Sequence, residues 1–340
     1  MNLTIFPQRI AGTVAAIPAK SQAHRLLICA ALGTQRVTLL CPRRSRDMEA
    51  TARCLNALGA RITETPEGFA VTPIDRPPRT ARLEVGESGS TLRFLLPVAG
   101  ALGVDACFCM EGRLPQRPLS PLWEELTRMG LTLSRPTPDT VRCTGQLRAG
   151  KYKIDGSVSS QFVSGLLFAA RILGNSSVEV TGTVESAPYI AMTREAIDIF
   201  SRPVPERLAV EGDWSNAAFF LAAAALGSRV EVTGLREDSA QGDRAVAALL
   251  PRLRAGNARI SARDIPDLVP ILAVTAAVCH GAEFTDIRRL RLKESDRVAA
   301  VTALLAALGG RAEAGENTLL VEPTGLRAQN GHRLGAGGCR

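Results

Sequence analysis

The chain has 340 residues, enough for about two domains, with a formal net charge of +8, 46% hydrophobic residues and only 4% aromatic ones. Scattered basic residues without stacking platforms argue against a nucleic-acid-binding surface, and small anionic substrates suit the charge better. No apolar run is long enough to cross a membrane, the first residues lack a secretory leader, and the eight cysteines form no CxxC pairs. A cytoplasmic chain with no nucleic-acid or membrane partner, no metal and no disulfide framework is expected; Cys107 and Cys109, alternating in ACFCM, belong on one face of a strand.

In chain order, an apolar helix, a stop glycine and an alternating strand recur five times. The stops are Gly33, Gly103, Gly174, Gly227 and Gly281, spaced by 70, 71, 53 and 54 residues, each where a helix C-cap calls for a left-handed residue. A second helix and two strands joined by a turn follow in three places: EATARCLNALGARITETPEGFAVTP, LWEELTRMGLTLSRPTPDTVRCTG and VTALLAALGGRAEAGENTLLVEPTG. In the two short intervals the chain passes directly from its second helix to SRPVPERLAVEGD or to ARDIPD, so each lacks about 17 residues of strand and turn. The repeating piece is a βαβαββ unit whose helices must bury apolar faces against sheets. By the same spacing a sixth stop falls at about residue 351, so the sixth repeat is expected to be missing.

The chemistry-bearing residues cluster at helix starts, where free N–H groups and the helix dipole favour anions. In PAKSQAHRLLICAALG, Ser21 is the expected N-cap, with Lys20 and Arg25 beside it. GESGSTLRFLLP places Ser88, Gly89, Ser90 and Thr91 before a second apolar helix, with Arg93 in its first turn. Arg117 precedes a proline that should set the start of another helix and can fork onto a carboxylate or phosphate. DGSVSSQFVSGLL offers Ser159, Ser160 and Gln161 at a third helix start, with no histidine nearby to activate a serine. Asp267 stands before the apolar helix of ARDIPDLVPILAV. In RLRLKESDRVAAV, Lys293 and Arg297 are four residues apart, which on a helix puts both on one face, with Glu294 beside them.

The order KS..HR, GxSGxTxR, RP, SSQ, SxPY, EGDxSxA, IPD and KESDR, from about Ile17 to Arg297, resembles the 5-enolpyruvylshikimate-3-phosphate synthase family of enolpyruvyl transferases. The resemblance implies a two-lobe, inside-out α/β barrel of βαβαββ units. One lobe is expected over about 20–210, and residues 1–19 with 211–340 form a second, incomplete one. It implies enolpyruvyl transfer from phosphoenolpyruvate to the 5-hydroxyl of shikimate 3-phosphate, without a cofactor. Lys20, Ser21, Arg25, Ser159, Ser160, Gln161, Ser186 and Tyr189 would then surround shikimate 3-phosphate, and Lys20, Ser90, Arg117, Lys293, Arg297 and Arg333 phosphoenolpyruvate. The reaction needs a base on the hydroxyl and an acid at the enol methylene. Asp267 is the expected base, with Glu294 and Lys20 as proton-transfer partners.

The sequence also departs from the family pattern. Glu87 and Arg289 stand at or near family asparagines, Gly331 replaces an aspartate before His332 and Arg333, and a distal phosphoenolpyruvate-binding lysine has no counterpart. The alternative reading is therefore an inactive remnant that binds shikimate 3-phosphate without turnover. A monomer is expected of the intact family, and surface left uncovered here would favour association.

Overall fold

The computed structural model describes residues 9–324. They form two compact units, Pro18–Glu211 and residues 9–17 with 212–324. The first described strand is β1 (Ala11–Ala15), which belongs to the second unit.

In the first unit, α1 (Lys20–Ala31), β2 (Val37–Leu40), α2 (Arg46–Ala57), β3 (Arg61–Thr65) and β4 (Gly68–Thr72) make the first repeat. The next contains β5 (Thr80–Gly86), α3 (Gly89–Leu102), β6 (Asp105–Met110), α4 (Leu122–Arg128), β7 (Leu131–Ser134) and β8 (Thr140–Gly145). Then come β9 (Lys151–Asp155), α5 (Ser160–Leu173), β10 (Ser177–Thr181), α6 (Ala187–Ile199) and β11 (Arg207–Ala209). Two complete sheets have the orders β11-β2-β4-β3 and β5-β6-β8-β7, each a parallel pair extended by an antiparallel hairpin. The third sheet is only β9 and β10, in parallel. No hairpin follows α6, as the short interval implies, and among the described residues β10 has one neighbour.

The second unit repeats the scheme. It contains α7 (Trp214–Ala225), β12 (Arg229–Thr233), α8 (Val246–Ala255), β13 (Ala258–Ser261), α9 (Val269–Val278), β14 (Ala282–Thr285), α10 (Arg297–Ala307), β15 (Ala312–Ala314) and β16 (Thr318–Val321). One sheet is complete, β13-β14-β16-β15, whereas among the described residues β12 pairs only with β1. Beside β12 lies a cavity of about 470 Å³ lined by Trp214, Leu221, Val232, Leu235, Leu250 and Pro251.

Each unit has its own apolar core. In the first, α1 is buried from Gln22 to Ala31 and α3 nearly throughout, so these helices are buried all round rather than along one stripe. The backbones of α3 and α5 meet at Gly165, where a Cβ would lie 2.2 Å from the Arg93 carbonyl oxygen. In the second, Phe219 and Leu226 at α7 and Val278 at the end of α9 stay exposed. Four of the five stop glycines have φ between 59° and 101°. Gly33 does not, because α1 ends at Leu32 in a tightened turn in which the Gly33 N–H donates to the Ala30 carbonyl at 3.2 Å.

Candidate functional site

In the first unit the starts of α1, α2, α3, α5 and α6 are joined by side chains. Ser88 caps α3 by accepting from the Thr91 N–H at 3.2 Å, and Ser159 caps α5 by accepting from the Gln161 N–H at 3.3 Å. Ser21 does not cap α1. The cap position is Ala19, whose N–H donates to the Glu211 carbonyl at 2.8 Å, so the helix begins two residues earlier and Ser21 falls in its first turn. Arg117 also differs from expectation: Pro118 follows it, but the helix begins only at Leu122.

Two clusters result. In one, Gln161 donates through Nε2 to Ser90 Oγ at 2.9 Å, while Arg93 Nη1 donates to Gln161 Oε1 at 2.7 Å. Arg117 belongs here too. A Cβ on Gly89 would lie 2.6 Å from Arg117 Nη1 and 3.0 Å from Arg93 Nη1, so the two guanidinium groups crowd onto the bare backbone that opens α3. Ser160 is buried in the first turn of α5.

The other cluster surrounds Arg25. It donates from Nε to Thr193 Oγ1 at 2.8 Å, from Nη1 to the Ser21 carbonyl at 2.5 Å, and from Nη2 to the Tyr189 carbonyl at 2.8 Å and Ser164 Oγ at 3.5 Å. Its guanidinium also lies over the rings of Phe94 and Tyr189, 5.1 and 5.9 Å from their centroids. Burial pulls Arg25 down to about 10, which leaves it charged at neutral pH. Ser186 is buried at the start of α6 with φ 56°, a left-handed backbone that costs energy for a residue other than glycine.

Between α1, α2 and α3 runs a hydroxyl chain. Thr91 donates to Ser88 Oγ at 2.7 Å, Thr51 and Thr91 share a bond of 2.7 Å, and Thr51 meets His24 Nδ1 at 2.7 Å. Burial, then the charge of Lys20, pulls His24 down to about 3, so its ring is neutral. Lys20 itself forms an ion pair with Asp47 at 2.9 Å.

In the second unit Asp267 sits in the turn before α9. Its Oδ1 accepts from Arg297 Nη1 and lies 3.9 Å from Lys293 Nζ; Arg297 Nη2 donates to Glu294 Oε2 at 3.3 Å. Lys293 and Arg297 do not share a helix face. Asp296 caps α10 by accepting from the Ala299 N–H at 3.0 Å, so the helix starts at Arg297 and Lys293 precedes it in irregular chain. The two cations meet at Asp267 instead. Burial, followed by the charge of Arg297, holds the Lys293 ammonium below its ordinary value against the opposing pull of Asp267. Arg333, with Gly331 and His332, lies outside the described residues.

Asp47, Arg93, Ser164 and Thr193 were not assigned from sequence. Arg93 was visible in the first turn of α3 and Asp47 near the start of α2; Ser164 and Thr193 carry no local signal, since their contacts with Arg25 span 139 and 168 residues. Chemically, the first unit offers neutral hydroxyl and amide groups beside guanidinium groups. The second offers a carboxylate held between two cations.

The EPSP synthase (3-phosphoshikimate 1-carboxyvinyltransferase) family model matches residues 6–207 and 201–338. A 3-phosphoshikimate 1-carboxyvinyltransferase of Clostridium beijerinckii is 34% identical over 94% of this chain and 84% of its own length. That of Clostridioides difficile is 31% identical over 97% and 86%, respectively. A solved EPSP synthase from Acinetobacter baumannii shares the fold, with a TM-score of 0.73 at 19% identity over 94% of this chain and 84% of that one.

Proposed function

The chain belongs to the EPSP synthase family, and from that premise we propose how its own residues serve enolpyruvyl transfer. The reaction moves the enolpyruvyl group of phosphoenolpyruvate to the 5-hydroxyl of shikimate 3-phosphate and releases phosphate, a step of aromatic amino-acid biosynthesis. No helix among the described residues is long and apolar enough to cross a membrane, and we place the reaction in the cytoplasm.

The observation that carries the assignment of residues is the cluster around Gly89, where Arg93, Arg117, Ser90 and Gln161 gather at the starts of α3 and α5. Lys20, Ser90, Arg117, Lys293 and Arg297 hold the phosphate and carboxylate of phosphoenolpyruvate in this reading. Lys20, Ser21, Arg25, Ser159, Ser160, Gln161, Ser186 and Tyr189 surround shikimate 3-phosphate. Asp267 takes the proton of the 5-hydroxyl as its oxygen attacks C2, Glu294 and Lys20 serve the protonation of the enol methylene, and loss of phosphate and a methyl proton restores the enol. Cations fixed before the charge moves stabilise the transition state without reorganising.

Steady-state release of phosphate by the full chain, given both substrates, tests the function; binding of shikimate 3-phosphate with no phosphate release would select the inactive-remnant reading instead. Gly89→Ala tests the phosphoenolpyruvate assignment. The added methyl must displace the end of Arg117 rather than backbone, so KM for phosphoenolpyruvate is expected to rise roughly 10- to 100-fold, the worth of one charged hydrogen bond, while the melting temperature stays close to wild type. An unchanged KM would detach Arg117 from the substrate.

A further inference from the structure

One buried acid in the second unit has no role in the reaction as assigned. Asp243 lies in the short 3-10 turn Gly242–Ala245 before α8 and is 1% exposed. Ser215, in the first turn of α7, donates its hydroxyl to Asp243 Oδ2. The other oxygen, Oδ1, is buried with no hydrogen-bond partner among the described residues. A buried carboxylate without a cation is costly, and such groups take up a proton instead.

The groups facing it explain why it matters. Asp267 and Asp213 act on Asp243 through their negative charge and Lys293 through its positive charge; Arg244, next in the turn, donates instead to the Glu237 carbonyl. The turn is locked in place because Gln241 accepts from the Trp214 N–H at 3.1 Å and donates to the Gly212 carbonyl at 2.8 Å. Asp243 thus sits fixed within the field of the Asp267 and Lys293 pair. Burial, then the repulsion of Asp267, pushes it up to about 7.

We infer that Asp243 is a positioning residue: as a neutral carboxyl it leaves Lys293 to Asp267 and phosphoenolpyruvate, and its ionisation weakens the hold on that anion. The inference rests on the assignment of Lys293 to phosphoenolpyruvate and adds a residue outside the substrate contacts. An ionised Asp243 would be a third negative charge competing for Lys293 and repelling the substrate.

Two measurements decide it. The first needs no turnover. Because the folded protein holds the Asp243 proton to higher pH than the unfolded chain does, Asp243 costs stability as pH rises from about 4 to about 7. The melting temperature of wild type should therefore fall over that window relative to Asp243→Asn, and parallel curves would overturn the neutral carboxyl. The second is KM for phosphoenolpyruvate between about pH 5.5 and about pH 8.5. Wild-type KM should rise about three- to tenfold more than that of Asp243→Asn across neutrality, with kcat of the variant within about twofold of wild type. Identical profiles would overturn the positioning role. Should Asp243→Asn not fold, Ser215→Ala serves instead: removing the hydroxyl that favours the ionised form must move the rise in KM to higher pH, and no movement would count against the inference. Lys293→Ala with unchanged KM would fault the Lys293 assignment itself, a result separable from the ionisation read by melting.

Discussion

Asp267→Asn is expected to lower kcat by roughly 10²- to 10⁴-fold, the contribution of a well-placed general base, without raising KM for phosphoenolpyruvate. The two halves of that expectation have different sources. Asparagine keeps the shape of the side chain but cannot take a proton from a hydroxyl. It also removes the charge that Lys293 and Arg297 share at Oδ1, and cations released from a carboxylate hold an anionic substrate at least as well. A residue that served only to brace those cations would show the opposite split, with KM rising and kcat preserved. Full turnover would remove Asp267 from the chemistry altogether.

Arg25→Ala is the most disruptive single change expected in the first unit. Its guanidinium ties α1 to α5 and α6 through Ser164, Thr193 and the Tyr189 carbonyl, and it is 2% exposed. Truncation removes this set of charge-assisted bonds from a closed interior, each worth about 1.5–3 kcal/mol, although Ser164 Oγ and the Tyr189 carbonyl keep the Thr193 hydroxyl as a partner. A loss of at least about 3 kcal/mol follows, on the order of 6–12 °C in melting temperature for a unit of this size. Binding of shikimate 3-phosphate should weaken as well, by roughly 1.5–3 kcal/mol. Arg25→Lys should recover the charge but not the fork of donors, and so only part of the stability. A melting curve for Arg25→Ala that overlays wild type would mean that the interior relaxes around the gap and that these bonds contribute little.

What the sequence disclosed and what it hid divide along range. Helix starts were legible where a hydroxyl or carboxylate stands beside an apolar run, as at Ser88 and Ser159, because capping is a contact between residues two or three apart. The start of α1 was misplaced by a bond that no local pattern contains, that of Ala19 to Glu211. Spacing puts Lys293 and Arg297 on one helix face and says nothing of Asp267, whereas the Asp296 cap separates the two cations and Asp267, nearly thirty positions away, unites them. Asp243 was passed over because a single aspartate in a turn is usually solvated, and only its burial marks it out. The repeat was the strongest signal in the chain, since equal units must present equal faces to their sheets.

The absence of a hairpin after α6 and α8 has a consequence for how such a chain can change length. In each complete repeat the hairpin leaves and returns at the same place: Arg61 pairs with Thr72, Leu131 with Gly145, and Ala312 with Val321. The paired backbones are only about 5 Å apart, a gap that one or two residues can span. Gly256 and Asn257 suffice to carry the chain from α8 into β13. Each hairpin is therefore a detachable cassette. Removing one alters neither the direction nor the register of the next strand; it leaves a strand edge and a patch of apolar surface, so the cost falls on solubility before it falls on topology.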